Sequence, residues 1–290
     1  MFNPELLQIT RLFDYNRLYD CDRIHLLPDS CSGRDDSTMS LAIGMIGIDG
    51  IVLATDSRKM ETMGELKNIV DNSKKLWAFQ KYRLGITAVS NDEPFSNWLL
   101  NKIPAILERE DVSSLGYEEK MDKISIELSR LYKQYIREHA FSIEGNFQWG
   151  MDFMIAGFAS PKKPRLLDIS AQISKAGFVP RYYQFQIQGI IAQAFSIFGN
   201  FRELLYKRVN DIEIPVQNVE ILRKVATLII DECSLANNVQ IGGGIQMIVI
   251  KPNGRITSIK PSDSEILRDK IRKTVTNRNN MFDRLMRVSV

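Results

Sequence analysis

Apolar residues come along this chain in two kinds of run. Residues 41–48 and 51–57 are short and almost continuously apolar, and Asp49-Gly50 stands between them. That dipeptide favours the tight turn of a β-hairpin, and runs of this length without polar alternation suit strands buried on both faces. A second hairpin is predicted over residues 76–79 and 84–89, joined by Gln80-Lys81-Tyr82-Arg83. The period then changes. Asn91-Asp92-Glu93-Pro94 is a helix-start pattern, after which Phe95, Trp98, Leu99, Ile103, Ile106 and Leu107 recur at helical spacing, with Pro104 placed to bend or end the helix. A longer helix is predicted from about Tyr117 to His139, where Met121, Ile124, Leu128, Leu131, Tyr132, Tyr135 and Ile136 form one apolar stripe opposite charges.

Short strands return at residues 151–158, 165–170 and 182–187, punctuated by Pro161, Pro164, Gly177 and Pro180. A third helix is predicted over 201–209 and a fourth over 219–233, the latter turning Ile221, Leu222, Val225, Leu228 and Ile229 inward. A strand at 245–250, a turn at Pro252-Asn253-Gly254 and a further strand at 256–259 follow, and residues 263–290 read as a charged, exposed helix. Strands, two helices, strands, two helices and a strand cannot make a doubly wound parallel sheet, which needs a helix after nearly every strand. The order fits an α+β fold, a four-layer αββα sandwich of two stacked antiparallel sheets with helix pairs outside. The expected divisions are an N-terminal extension or propeptide at 1–37, the main domain at 38–260 and a C-terminal helical tail at 261–290.

Composition narrows the classes of function. Thirty-eight basic residues against thirty-five acidic ones, a net charge of +3, give no general attraction to nucleic acid or to an anionic membrane. Cys21, Cys31 and Cys233 are odd in number and form no C-x-x-C, which predicts neither a disulfide framework nor a zinc site. The N-terminal segment alternates charge with apolarity, and no segment approaches the ~18 consecutive apolar residues of a spanning helix. A cytoplasmic protein without cofactor or metal is the expectation.

From Ile43 to Arg58 the sequence reads IGMIGIDGIVLATDSR. This stretch resembles the opening of a proteasome subunit, in the proteasome-type branch of the N-terminal nucleophile (Ntn) hydrolases. In that family the first strand carries the nucleophile at its start, Asp-Gly turns the hairpin, and the second strand ends in A-x-D-x-R. Asn72-Ser73-Lys74-Lys75-Leu76-Trp77 resembles the family's next strand, opened by a basic residue. Weaker likenesses follow in order at Met154-Ile155-Ala156-Gly157, Phe198-Gly199-Asn200 and Gly242-Gly243-Gly244. The resemblance spans roughly residues 38–258, and its first forty or so positions are the specific ones. It implies the Ntn-hydrolase fold, a peptide or unfolded-protein substrate, and a homo-oligomeric ring, and it leaves open whether an ATPase partner feeds substrate.

The chemistry needs few groups. An N-terminal Ser or Thr carries a hydroxyl and a free amine on one residue, and an amine with a reference pKa of ~8 can act as general base at neutral pH. A nearby lysine ammonium favours the deprotonated forms of both, and a carboxylate holds the lysine charged and in place. The resemblance makes Asp56 that carboxylate, Lys75 the catalytic lysine and Arg58 a brace for the loop. Counting back from Asp56 without a gap puts Ser40 at the first position, while Thr38 requires a two-residue insertion. Either becomes competent only when the bond before it is cut, at Met39-Ser40 or Ser37-Thr38, with autoprocessing removing 39 or 37 residues.

The sequence departs from the family at several places. Neither cleavage site has the usual preceding Gly, and the oxyanion glycine falls on Val89 or Ser90, which keep a backbone N–H. A supporting serine falls near Phe198 and a supporting aspartate near Asn238 or Val239. These departures support a second expectation, an inactive, unprocessed ring-forming or binding subunit of the same fold. Tyr19-Asp20 with Pro28 faintly resembles the N-terminal arm of noncatalytic ring subunits and points the same way. The plainer reading of Asp56 and Lys75 is a structural ion pair.

Other features read as structure. The glycine run lacks the lysine and following helix of a phosphate loop, His25 and His139 have no second histidine at metal spacing, and Cys31 lies too far before the hairpin to be a nucleophile. Tyr182, Tyr183 and Phe185 beside Arg181 read as strand core, and Arg268, Lys270, Arg272 and Lys273 as a solvated helix face.

Overall fold

A computed structural model describes residues 40–63, 66–90, 93–139, 150–174, 177–183, 190–195, 217–236 and 241–288. The first hairpin is present as β1 (Ser40–Gly47) and β2 (Gly50–Asp56). Gly47 pairs with Gly50, so the two-residue loop is Ile48-Asp49, one position earlier than Asp-Gly suggests. Tertiary contacts explain the shift. The Asp49 carboxylate accepts the Val219 N–H at 2.8 Å and meets the Lys251 ammonium at 2.7 Å, fixing Asp49 in the loop while Gly50 enters the ladder.

Two sheets of five antiparallel strands follow from this start. In order along the first they are β10 (Ile190–Phe195), β1, β2, β11 (Ile245–Ile250) and β12 (Ile256–Ile259). The second comprises β5 (Leu76–Phe79), β6 (Leu84–Ser90), β7 (Gly150–Ser160), β8 (Lys163–Ser174) and β9 (Gly177–Tyr183). A separate two-stranded hairpin, β3 (Lys59–Met63) with β4 (Leu66–Val70), leaves the end of β2. The helices are α1 (Glu93–Leu100), α2 (Ile103–Glu108), α3 (Glu110–Ser113), α4 (Tyr117–His139), α5 (Val219–Ala236) and α6 (Pro261–Val288). Pro104 sits in the first turn of α2, where its missing N–H removes no helical bond, so the predicted helix is split there. The predicted helix at 201–209 lies outside the described residues, as do Cys21 and Cys31.

The two-residue period of a strand accounts for the continuous apolar runs. In β1, β2 and β11, Leu41, Ile43, Met45, Val52, Ala54, Met247 and Val249 join α5 residues such as Leu222, Val225 and Ile229 in one core. The alternate residues Ala42, Ile51, Leu53, Ile248 and Ile250 pack instead with Val89, Met154 and Ala156 of the second sheet. On that sheet's other side, Leu84, Ile86, Ala88, Phe153 and Ile155 meet Leu99, Ile103, Ile124 and Leu128 of the helices after β6. These inner strands thus have an apolar layer on each face, and their sequences run apolar except at a few polar positions such as Thr55, Asp56 and Gln246.

Where the sheets approach, a Cβ on Gly44 of β1 would meet Met154 Sδ and come within 2.8 Å of Leu166 Cδ1. Gly44→Val is therefore expected to overpack this layer and cost about 1–3 kcal/mol. Urea denaturation checks this through a lowered midpoint at unchanged slope.

The C-terminal helix differs from its expectation as an exposed tail. Ile271 is buried, Leu267 packs on the core beneath α5, and Arg268 and Arg272 engage Asp231 on α5 in place of a solvated face. Burying a side chain the size of Ile271 stabilises the docked helix by about 1.5–3 kcal/mol. No helix among the described residues is long and apolar enough to cross a membrane.

Candidate functional site

The end of β2 delivers Asp56 into the protein interior, where it has no solvent exposure. A carboxylate there needs donors for both oxygens, and it has them. Oδ1 accepts the Leu41 N–H and the Lys75 ammonium, each at 3.0 Å. Oδ2 accepts the Arg58 N–H at 3.1 Å, the Gly242 N–H at 3.3 Å and Lys75 Nζ at 3.1 Å. Burial pushes the Asp56 carboxyl above its ordinary pKa, opposed by the Lys75 ammonium and the N–H groups of Leu41 and Gly242. Lys75, immediately before β5, is itself buried and also donates to the Arg58 carbonyl.

Ser40 heads β1 and is 4% exposed. Its C-terminal neighbour supplies the Leu41 N–H on Asp56 Oδ1, the oxygen that also takes the ammonium, so the start of β1, the end of β2 and the residue before β5 meet at one carboxylate. Thr38 lies outside the described residues. Arg58 turns its side chain to the base of the β3–β4 hairpin, where Nε and Nη2 meet the Asp71 carboxylate at 2.6 and 2.8 Å. That hydrogen-bonded guanidinium holds Asp71 below the usual carboxylate range. The Ser57 hydroxyl closes the same loop on the Asp71 carbonyl.

Gly242-Gly243-Gly244, just before β11, forms the other wall. The Gly242 carbonyl accepts both the Ser57 and Arg58 N–H groups, at 3.2 and 3.0 Å. Gly243 has φ +69°, and a Cβ there would lie 2.6 Å from both the Asp71 carbonyl and Ser57 Oγ, so glycine is required twice over.

No family model matches the chain, and no curated protein does. Solved structures do match. The Anbu (Gly-1) mutant from Hyphomicrobium sp. strain MC1 is 14% identical with a TM-score of 0.54, over 84% of this chain and 99% of that one. Anbu (ancestral beta-subunit) from Yersinia bercovieri is 11% identical with a TM-score of 0.58, over 83% and 97%. The protein of the helical assembly of the Anbu complex from Pseudomonas aeruginosa is 15% identical, also at 0.58, over 84% and 96%. The fold is that of Anbu. This corrects the resemblance read from the opening motif, because these neighbours are Anbu proteins and not proteasome subunits proper. At 11–15% identity the likeness is one of fold.

Within this Anbu-like fold the two oxyanion candidates face opposite ways. The Ala88 N–H donates to the Lys75 carbonyl at 3.0 Å, so it points to the β5 edge. The period of two turns the Ser90 N–H to that same edge, and the Val89 N–H to β7, where Val89 is registered with Asp152. Phe198, Asn238 and Val239, the positions of the altered supporting residues, lie outside the described residues.

Two residues of the site, Gln246 and Asp71, are not singled out by the sequence. Gln246, in β11, accepts the Lys75 N–H through Oε1 at 3.1 Å and donates through Nε2 to the Ser73 carbonyl at 2.5 Å, fixing the backbone from which the lysine extends. Its signal was a lone amide in the otherwise apolar IQMIVI. Asp71 carried no comparable signal. Among the described residues no three His, Cys, Asp or Glu side chains converge as a metal ion would require.

Proposed function

We propose that this protein is an Anbu-like amide hydrolase of the Ntn type, a four-layer αββα sandwich whose nucleophile is Ser40. The observation that carries the reading is the shared Asp56 oxygen, which joins the peptide following Ser40 to the Lys75 ammonium. Removal of residues 1–39 frees the Ser40 amine. The amine then takes the Oγ proton as Oγ adds to the substrate carbonyl, and the ammonium of Lys75 favours the neutral amine and the developing alkoxide. Collapse of the adduct breaks the C–N bond, the departing amine takes the proton, and water hydrolyses the ester to regenerate Ser40. The Ser90 N–H, on the Lys75 edge, is the better placed oxyanion donor.

Ser40 is preferred to Thr38 because the gapless count from Asp56 reaches it and because it begins the strand whose next amide is held on Asp56. The neighbour from Pseudomonas aeruginosa is a helical assembly, which supports self-assembly of this chain through repeated contacts. The burial of Ser40 in the intact chain favours a second reading, an unprocessed assembly subunit with no free amine.

A β-lactone probe separates the two readings. It acylates an N-terminal hydroxyl next to its own amine, so tandem mass spectrometry should locate one adduct on Ser40 with parallel loss of hydrolysis of short peptide amides. Labelling elsewhere, or none with hydrolysis intact, sinks the first reading.

A further inference from the structure

Between the glycine turn and the C-terminal helix lies a charge cluster, built around a buried carboxylate, that the proposed chemistry does not use. Asp231 of α5 is buried, and Arg272 of α6 meets its two oxygens at 2.8 and 2.5 Å. One turn earlier on α6, Arg268 stands with Nε 3.9 Å from Asp231 Oδ1, bonds Glu265 through Nη2, and donates through Nη1 to the Gly243 carbonyl at 3.4 Å. Its side chain is only 14% exposed. A planar guanidinium carries five donors in a fixed fork, so it can hold acceptors in three directions, which an ammonium on a flexible stem cannot do with the same geometry.

The Gly243 carbonyl belongs to the turn that serves Asp56. Gly242, one residue before, gives its N–H to Asp56 Oδ2 and takes the N–H groups of Ser57 and Arg58 on its carbonyl. The Asp71 carbonyl and Ser57 Oγ occupy the side of Gly243 where a Cβ would stand, and Arg268 bonds its carbonyl from α6. A run of three glycines has no side chains of its own to pin it and the largest backbone freedom to lose, so its conformation depends on such tethers.

We infer that Arg268 is a positioning residue for the site, and that through it the C-terminal helix is part of the site's support. Asp231 and Glu265 orient the guanidinium, the guanidinium holds the Gly243 carbonyl, and the turn so held keeps the Gly242 N–H on Asp56. For its effect on rate the inference rests on the hydrolytic reading above; for its effect on the turn it does not.

Arg268→Ala in the full chain tests it by two independent readouts. Arg272 still pairs with Asp231 in that variant, so α6 is expected to stay seated with its amides protected from hydrogen exchange. Exchange over residues 241–244 is expected to quicken, kcat for peptide amides to fall about 10-fold with KM unchanged, and Arg268→Lys to recover part of both. Unchanged exchange at 241–244, or equal quickening along all of α6, overturns the inference whether or not the protein hydrolyses anything. Unchanged kcat in Arg268→Ala beside a dead Lys75 variant also overturns it. Absence of hydrolysis in the parent protein counts against the proposed function alone, and the exchange result then decides the tether.

Discussion

Lys75→Met is expected to lower hydrolysis of small peptide amides by about 10²- to 10⁴-fold, the range set by removing a group that assists proton transfer. The substitution keeps the length and apolar stem of the side chain and deletes the charge. It also leaves Asp56 buried without its cation. Breaking a buried pair by removing one partner costs about 3–5 kcal/mol, because the remaining charge cannot return to water. The sign of the accompanying pH dependence follows from Asp56. Burial already places its carboxyl above the ordinary value, and losing the ammonium raises it further. A group with a raised folded-state pKa binds its proton more readily when folded, so the stability deficit of Lys75→Met is largest at neutral pH. It narrows as the pH falls through the raised value and is no longer pH-dependent below the unfolded one. Guanidinium denaturation of parent and variant at several pH values measures the difference. A deficit that does not narrow on acidification would mean that Asp56 is not the charge left behind.

Ser40→Ala is expected to remove hydrolysis to background, a loss on the order of 10⁶-fold if the hydroxyl is the nucleophile. The expected cost in stability is small, since among the described residues the groups that hold Asp56 are the Leu41, Arg58 and Gly242 N–H groups and the Lys75 ammonium, with no part taken by the Ser40 hydroxyl. This variant therefore separates chemistry from folding more cleanly than Lys75→Met does. Ser40→Thr should retain measurable activity and Thr38→Ala full activity. If Thr38→Ala is dead and Ser40→Ala active, the strand begins its chemistry two residues earlier than the gapless count places it.

What could be read from the sequence follows the physics of each signal. Strands buried on both faces announce themselves as unbroken apolar runs, so β1, β2, β6, β7 and β11 were legible. The stripe of α4 and that of α5 were as plain, because one helical face meets the core. The β3–β4 hairpin gave no such signal. KMETM and LKNIV carry charges among their apolar residues, and among the described residues they pair only with each other. The hairpin loop lies one residue earlier than Asp-Gly predicts because Asp49 answers to Val219 and Lys251, some 170 to 200 residues away in sequence. Long-range partners also explain the tail: nothing local to Arg268 and Arg272 reveals that Asp231 is waiting on another helix.

The candidate site divides the same way. Asp56, Arg58 and Lys75 stand out through the resemblance of their spacing, and in the structure the Lys75 ammonium and the Arg58 N–H reach the Asp56 carboxylate while the Arg58 side chain turns to Asp71. Gln246 and the Gly242 N–H reach that cluster from the far end of the chain, and a glycine run or a single amide in a strand has many other uses. A-x-D-x-R after an Asp-Gly hairpin reports the opening of a fold that Anbu proteins also have, so the motif by itself does not single out proteasome subunits.

The most direct measurement is the intact mass of the purified, untagged protein, followed by N-terminal sequencing of whatever form is found. Self-processing at Met39-Ser40 predicts a chain that begins at Ser40, its first 39 residues gone and its amine free. A full-length mass, with or without Met1, or a chain beginning at Thr38, would contradict it.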